Sequence, residues 1–258
     1  MLSDINSKSL VVDFREPDDR NSGRGVSEVL QVMRTLEVRG IPSCVTGARA
    51  LVYYGAAKVP QDWEVAVPDE LFDDAKTLFI GNPEYKMLEP PMPQPKSLIH
   101  TYPLFRLQGA SFTFMLVPVS EPSVDCDAAK CERSHNGIPY PQLQHLAQGL
   151  LDGQRYADLE DLVDGMDLDE AWGEENLQLD RVPREYINRR NKMIRAALPG
   201  LPGLVALLST APDARRAWTC AVQRKRSRMV PKYPEERYST RFRLIGSSDP
   251  RLDRSREV

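Results

Sequence analysis

Nowhere in the 258-residue chain is there a run of 18 apolar residues, so no helix able to cross a bilayer is expected. The opening MLSDINSKSLVVDFREPDDR also lacks the basic start and apolar core of a secretory leader, with acids in their place. An intracellular, cytoplasmic protein with no membrane partner is the expectation. Cysteine is scarce, and without a secretory leader Cys44, Cys126, Cys131 and Cys220 read as free thiols rather than a disulfide framework. A paired C-x2-C is absent. Cys126, Cys131 and His135, with His145 as a conceivable fourth ligand, therefore read as loop residues, and no structural zinc is expected. Nothing marks a nucleophile's helix terminus beside these thiols, which argues against a Cys–His catalytic pair. A dominant charge is missing too: the formal net charge is -3, so no global field draws a polyanion.

The charge that is present is unevenly spread. Residues 152–180 hold 11 acids against one arginine, whereas residues 211–258 hold 13 Lys or Arg against 6 acids. Such segments either pair with each other, face solvent, or give the basic one to a nucleic acid. With 41% hydrophobic residues the chain can bury a sizeable core.

Hydrophobic periodicity divides the chain. Residues 1–24 are a polar N-terminal arm. Val26, Val29, Met33 and Leu36 fall at helical spacing before Gly40 and Pro42 end the run. A short strand, SCVTG, then leads into a two-turn helix, ARALVYYG. In DWEVAVP, Trp63, Val65 and Val67 alternate with Asp62, Glu64 and Ala66, which is the period of a strand. Asp69 is expected to cap a helix over ELFDDAKTLF. The proline-rich residues 81–97 read as a surface excursion, and SLIHTYPLFRL and ASFTFMLVP as antiparallel strands joined near Gly109. Helical spacing dominates from Pro141 onward. The expectation is an α+β core over 25–138, a helical region packed on it over 139–210, and a basic segment over 211–258 whose end is disordered.

Asp62 and Glu64 hold the main chemical signal. Side chains two apart on a strand share a face, and their Cα atoms lie roughly 7 Å apart. Two carboxylates that close favour a cation between them, and Mg²⁺ with bound water and a phosphate suits the volume. Alternatively they are the solvated acids of an edge strand.

A turn glycine opening a short helix, then a basic connector with Lys58, then a strand with an acid pair resembles the polymerase-β-like nucleotidyltransferase superfamily. GIPSCVTGARALVYYGAAKVPQDWEVAVP also looks like a group of fungal proteins with that fold. The resemblance implies a mixed sheet with flanking helices, Asp62 and Glu64 as catalytic Mg²⁺ ligands, and a phosphate-holding turn at Gly47. Ala48, Arg49 and Lys58 would face the same nucleotide, with NTP as substrate. The sequence departs from the pattern twice. Ala48 stands where the superfamily has Gly or Ser, and SFTFMLVP contains no acid where a third carboxylate is expected.

Two basic stretches extend the reading. VPREYINRRNKMIRAALP sets Arg189 and Arg190 on a helix, as a solvated face or as a phosphate-binding wall. Around Arg224, Lys225, Arg226 and Arg228 the chain interleaves aromatics with cations, a composition suited to RNA. Three functions follow: a Mg²⁺-dependent nucleotidyl transferase; a tRNA-dependent, arginine-containing cyclodipeptide synthase of a fungal biosynthetic pathway acting on aminoacyl-tRNA; and a catalytically inactive binding module.

Overall fold

The computed structural model describes residues 25–60, 62–93, 97–198, 206–229 and 236–253. Helix α1 (Val26–Glu37) buries Val26, Val29, Met33 and Leu36, the face its spacing predicts. Strand β1 (Cys44–Thr46) runs directly into α2 (Gly47–Tyr53), and β2 (Trp63–Val67) follows. Next come α3 (Phe72–Ile80), β3 (Tyr85–Leu88), β4 (Leu104–Leu107) and β5 (Thr113–Pro118). A ribbon of β6 (Cys131–Arg133) and β7 (Pro139–Pro141) precedes the helices α4 (Leu143–Asp152), α5 (Tyr156–Met166), α6 (Glu170–Asn176), α7 (Arg184–Ala197) and α8 (Ala214–Gln223).

The architecture is α+β, a mixed sheet with flanking helices. Its five strands lie in the order β1-β2-β5-β4-β3. Among the described residues only β2 and β5 are parallel, and their register sets Glu64 opposite Met115. Alternation along these strands separates two apolar faces. Val45, Val65, Val67, Phe114 and Leu116 enter the larger core with α1 to α5 and α8. Cys44, Ala66, Met115 and Val117 enter a smaller one, closed by Ile194 and Leu198 at the end of α7. Both sheet faces are thus covered, which is why β2 and β5 read as nearly continuous apolar runs. Glu64 is the exception, and it points toward the smaller core.

Helix α5 approaches the α2 end closely because both contribute glycine: a Cβ on Gly165 would meet the backbone of Tyr54 and Ala56, and one on Gly55 would meet the Gly165 carbonyl. This contact brings the acidic helix beside Lys58. The basic segment beyond α8 folds back on it, as Lys225 pairs with Asp167, Arg228 with Asp164, and Arg241 with Asp161 and Asp164.

Several expectations are corrected. Residues 81–97 include the edge strand β3, held by β4 through the register Tyr85↔Leu107, a pairing that proline content obscured. Asp69 does not cap a helix. It opens a separate 3₁₀ turn, Asp69–Leu71, and its carboxylate accepts from the Ser120 amide at 3.0 Å. Near the end of the chain, Pro250 is buried and Arg251 pairs with Glu132, so the expected disorder does not extend over these residues, while 254–258 lie outside the described ones. The N-terminal arm, 1–24, also lies outside them. Among the described residues no helix is long and apolar enough to cross a membrane.

Candidate active site

Glu64 leaves the centre of the sheet and its carboxylate rests directly on Gly47, the first residue of α2. Gly47 has φ 64°, and a Cβ there would fall on the Glu64 carboxyl group. A left-handed residue with no side chain is therefore required twice over, by its backbone and by its neighbour. The strand–glycine–helix order visible in the sequence places the acid and the helix start in contact.

Glu64 opens into a cleft of about 510 Å³ between the sheet, the start of α5 and the middle of α7. Arg155, Asp158, Glu121, Arg190, Tyr102 and Tyr186 line it as well. Arg155 grips Asp158 through Nε at 3.0 Å and Nη2 at 2.7 Å. Lys58 spans Asp158 and Asp161, 2.6 Å from each. Across the cleft, Arg190 forms a two-pronged pair with Glu121, whose carboxylate also accepts from the Tyr102 hydroxyl at 2.7 Å.

These surroundings set the protonation states. Burial raises the Glu64 carboxyl above its ordinary range, opposed by the nearby charges of Arg155 and Lys58. Burial works in the same sense on Asp158, but Arg155 and Lys58 outweigh it and hold that carboxyl below its ordinary range. Burial pushes the hydroxyls of Tyr102 and Tyr186 up to about 12, so at neutral pH both are protonated donors.

The other sequence-marked residues are distributed unequally. Asp62 lies one strand period before Glu64 and accepts a hydrogen bond from the Thr113 hydroxyl of β5. Ala48 is partly buried beside Gly47. Arg49 stacks on Trp63, its guanidinium carbon 4.4 Å from the ring centroid. Trp63 leaves β2 on the face opposite Glu64, so Arg49 and the cleft are on different sides of the sheet. Arg189 is 55% exposed and pairs with Asp69 outside the cleft, whereas its neighbour Arg190 is in the cleft wall. Arg224 and Arg226 are exposed; Lys225 and Arg228 are committed to Asp167 and Asp164.

Sequence reasoning missed Arg155, Asp158, Tyr102 and Tyr186. Arg155 had a signal, being the one cation among the 11 acids of residues 152–180. The two tyrosines had none, because they come from unrelated segments that only the packing of α7 on the sheet brings together.

The resemblance implies Mg²⁺, and the donor set can be tested against it. Asp62 and Glu64 are two hard oxygen donors on one strand face, but Met115 and Thr113 occupy the adjoining positions of β5, where no acid stands. Among the described residues no three His, Cys, Asp or Glu side chains form a metal-binding group. Two carboxylates suit one Mg²⁺ that takes its other ligands from water and a bound phosphate, since Mg²⁺ rarely needs an all-protein cage.

No protein-family model matches the chain, and no curated protein matches it. Solved structures do. The chain is similar to ANT(2'')-Ia in complex with adenylyl-2''-tobramycin, with 10% identity and a TM-score of 0.34 over 54% of this chain and 88% of that one. It is similar to a candidate nucleotidyltransferase from H. pylori, with 12% identity and a TM-score of 0.34 over 78% of this chain and 93% of that one. A third, JHP933 from Helicobacter pylori, is 11% identical with a TM-score of 0.34, covering 81% and 92% respectively.

Proposed function

We propose that the cleft at Glu64 binds a nucleoside triphosphate and transfers its nucleotidyl group to an acceptor. The observation that carries this reading is that Glu64, whose carboxylate lies against Gly47, lines a cleft that also holds Arg155. It joins an acid for a cation, the start of a helix and a fixed positive charge. The sequence motif over residues 44–67 adds support.

Asp62 and Glu64 would hold Mg²⁺, which when bound supplies charge neutralisation at the phosphates. The chain's own residues do the rest. At Gly47 the missing side chain lets the Glu64 carboxylate lie against the start of α2, so a phosphate would meet this turn through the cation that Glu64 holds. Arg155 is held by Asp158, which Lys58 holds in turn, so its guanidinium meets an anion already oriented. Tyr102 donates its hydroxyl proton to the Glu121 carboxylate and Tyr186 to the Glu121 backbone carbonyl, so together with the Arg190–Glu121 pair they fix the position of the opposite wall. Arg49 and Arg189 take no direct part in this reading because neither lines the cleft.

No feature of the cleft favours the aminoacyl-tRNA alternative. The acids of α5 that could receive an arginyl group are already met by Lys58, Arg228 and Arg241.

The test is calorimetric titration of each of the four common NTPs with and without Mg²⁺, on the wild type and on Asp62→Asn and Glu64→Gln. Pyrophosphate release is then assayed with hydroxyl and amine acceptors. Mg²⁺-dependent binding that falls at least tenfold in Glu64→Gln is expected. Binding that ignores both substitutions would sink the reading, and tight binding without pyrophosphate from any acceptor would favour the inactive binding module.

A further inference from the structure

Three of the four cysteines converge in the smaller core. Cys44 lies on β1 and is fully buried; Cys126 lies in the segment after β5 and is 4% exposed. Their sulfurs are 3.1 Å apart, and the Cys126 thiol also reaches the Ala66 carbonyl of β2 at 3.2 Å. Cys131, at the start of β6, packs against the same apolar cluster but is partly exposed. Its thiol donates to the Asp125 carbonyl at 3.6 Å. All are free thiols, and Cys220 on α8 is the fourth.

We propose that Cys44, Cys126 and Cys131 form a thiol–disulfide exchange site for a small-molecule disulfide, with Cys131 the entry thiol and a Cys44–Cys126 crosslink the resting oxidised state. Access and contact divide the roles. A disulfide in solution reaches only Cys131 of the three, while the closest sulfur pair is the one it cannot reach.

The chemistry balances as three displacements. The Cys131 thiolate attacks one sulfur of the external disulfide, forming a mixed disulfide and releasing one small thiolate. Cys44, having lost its proton to solvent or to that thiolate, attacks the Cys131 sulfur and expels the second small thiolate. Cys126 then displaces Cys131 from Cys44. In sum, two protein thiols lose two hydrogens and one small disulfide becomes two small thiols. The hydrogen bond from Cys44 holds the Cys131 thiol below its ordinary pKa, while contacts with Cys126 and Cys131, and then burial, raise Cys44 well above its own. These directions agree with an outer attacking thiolate and an inner thiol that reacts second.

The crosslink would tie β1, which leads into Gly47, to the segment after β5. That segment also carries Glu121, the partner of Arg190. Oxidation would thus brace both ends of the candidate cleft without touching a residue in it.

The test uses the full chain equilibrated with oxidised and reduced glutathione at several ratios, quenched in acid, alkylated, digested without reduction and mapped by mass spectrometry. The expected product has lost the mass of two hydrogens and yields a Cys44–Cys126 peptide pair, with Cys220 outside it. Cys131→Ser should form the crosslink at least about tenfold more slowly, because the two remaining thiols are buried and are reached only when the core opens, and an unchanged rate would overturn the role of Cys131. Cys126→Ala should form no crosslink at Cys126, and should it fold poorly the rate comparison on Cys131→Ser, at a partly exposed position, takes its place. Three outcomes would overturn the proposal: alkylation of Cys44 and Cys126 at every ratio, a glutathione adduct persisting on Cys131 without a crosslink, or a stable Cys44–Cys131 pair.

Discussion

Arg228 and Asp164 meet across 64 residues of chain in a two-pronged pair, Nε at 2.8 Å from one carboxylate oxygen and Nη2 at 2.7 Å from the other. Asp164 is fully buried, and Arg241 brings a second cation to it at 2.6 Å. The acidic and basic segments of the sequence answer each other here, so this part of the basic segment is structural before it is anything else. Removing Arg228 leaves Asp164 with Arg241 alone, so Arg228→Ala should lower stability by clearly less than the about 3–5 kcal/mol of a fully stranded buried charge, while Asp164→Ala, which deprives both arginines of it, should cost more. Arg224→Ala and Arg226→Ala, at exposed positions, should stay within about 0.5 kcal/mol. Urea denaturation of the four variants measures this, and the Arg224 and Arg226 pair then reports on RNA binding without disturbing the fold.

Gly47→Ala should damage the candidate site more than the fold. Forcing a side chain into a left-handed conformation costs about 1–3 kcal/mol, and the new methyl would displace the Glu64 carboxylate. A folded protein by circular dichroism that has lost Mg²⁺-dependent nucleotide binding is the expected pair of results. Retained binding would separate Gly47 from the site.

Glu64 makes stability depend on pH in a stated direction. Its folded-state pKa is raised, so its contribution is fully present below the unfolded carboxyl value and is lost as pH rises through the folded one. Each tenfold change in proton affinity is worth about 1.4 kcal/mol. Glu64→Gln, which cannot ionise, should therefore melt higher than wild type at pH 7, with the gap closing as the pH falls below the ordinary carboxylate range. A gap that widens on acidification would contradict the burial of this carboxylate.

Gly165→Ala tests how α5 is placed. Its Cβ would collide with the backbone of Tyr54 and Ala56, which cannot move as a side-chain end can. A loss of about 1–3 kcal/mol is expected for overpacking of this kind. Because α5 carries Asp158 and follows Arg155, the variant should also weaken ligand binding in the cleft. Thermal melts and nucleotide titration together check both effects.

The site was partly legible in the sequence. Period-two alternation located β2 and showed that Asp62 and Glu64 share a face, since side-chain direction on a strand is a local property. The turn glycine before ARALVYYG was legible for the same reason. In the sequence Arg49 points to the nucleotide because it follows the turn glycine, and Arg189 because it is basic on a helix that could wall the site. Their actual neighbours, Trp63 and Asp69, depend on which side of the sheet each helix packs. The edge strand β3 was hidden because its pairing with β4 is a long-range contact in a proline-rich setting.

The sequence by itself determined the strand–glycine–helix unit, the acid pair, the helical second half and the segregation of charge, all of which follow from local periodicity, turn chemistry and composition. Tertiary structure alone decided that the acidic and basic segments neutralise each other, that Arg155 faces Glu64, and that Cys44 touches Cys126. Those relations join residues 64, 82 and more positions apart. They are set by how the layers stack on a covered sheet, and no pattern within a single element encodes that.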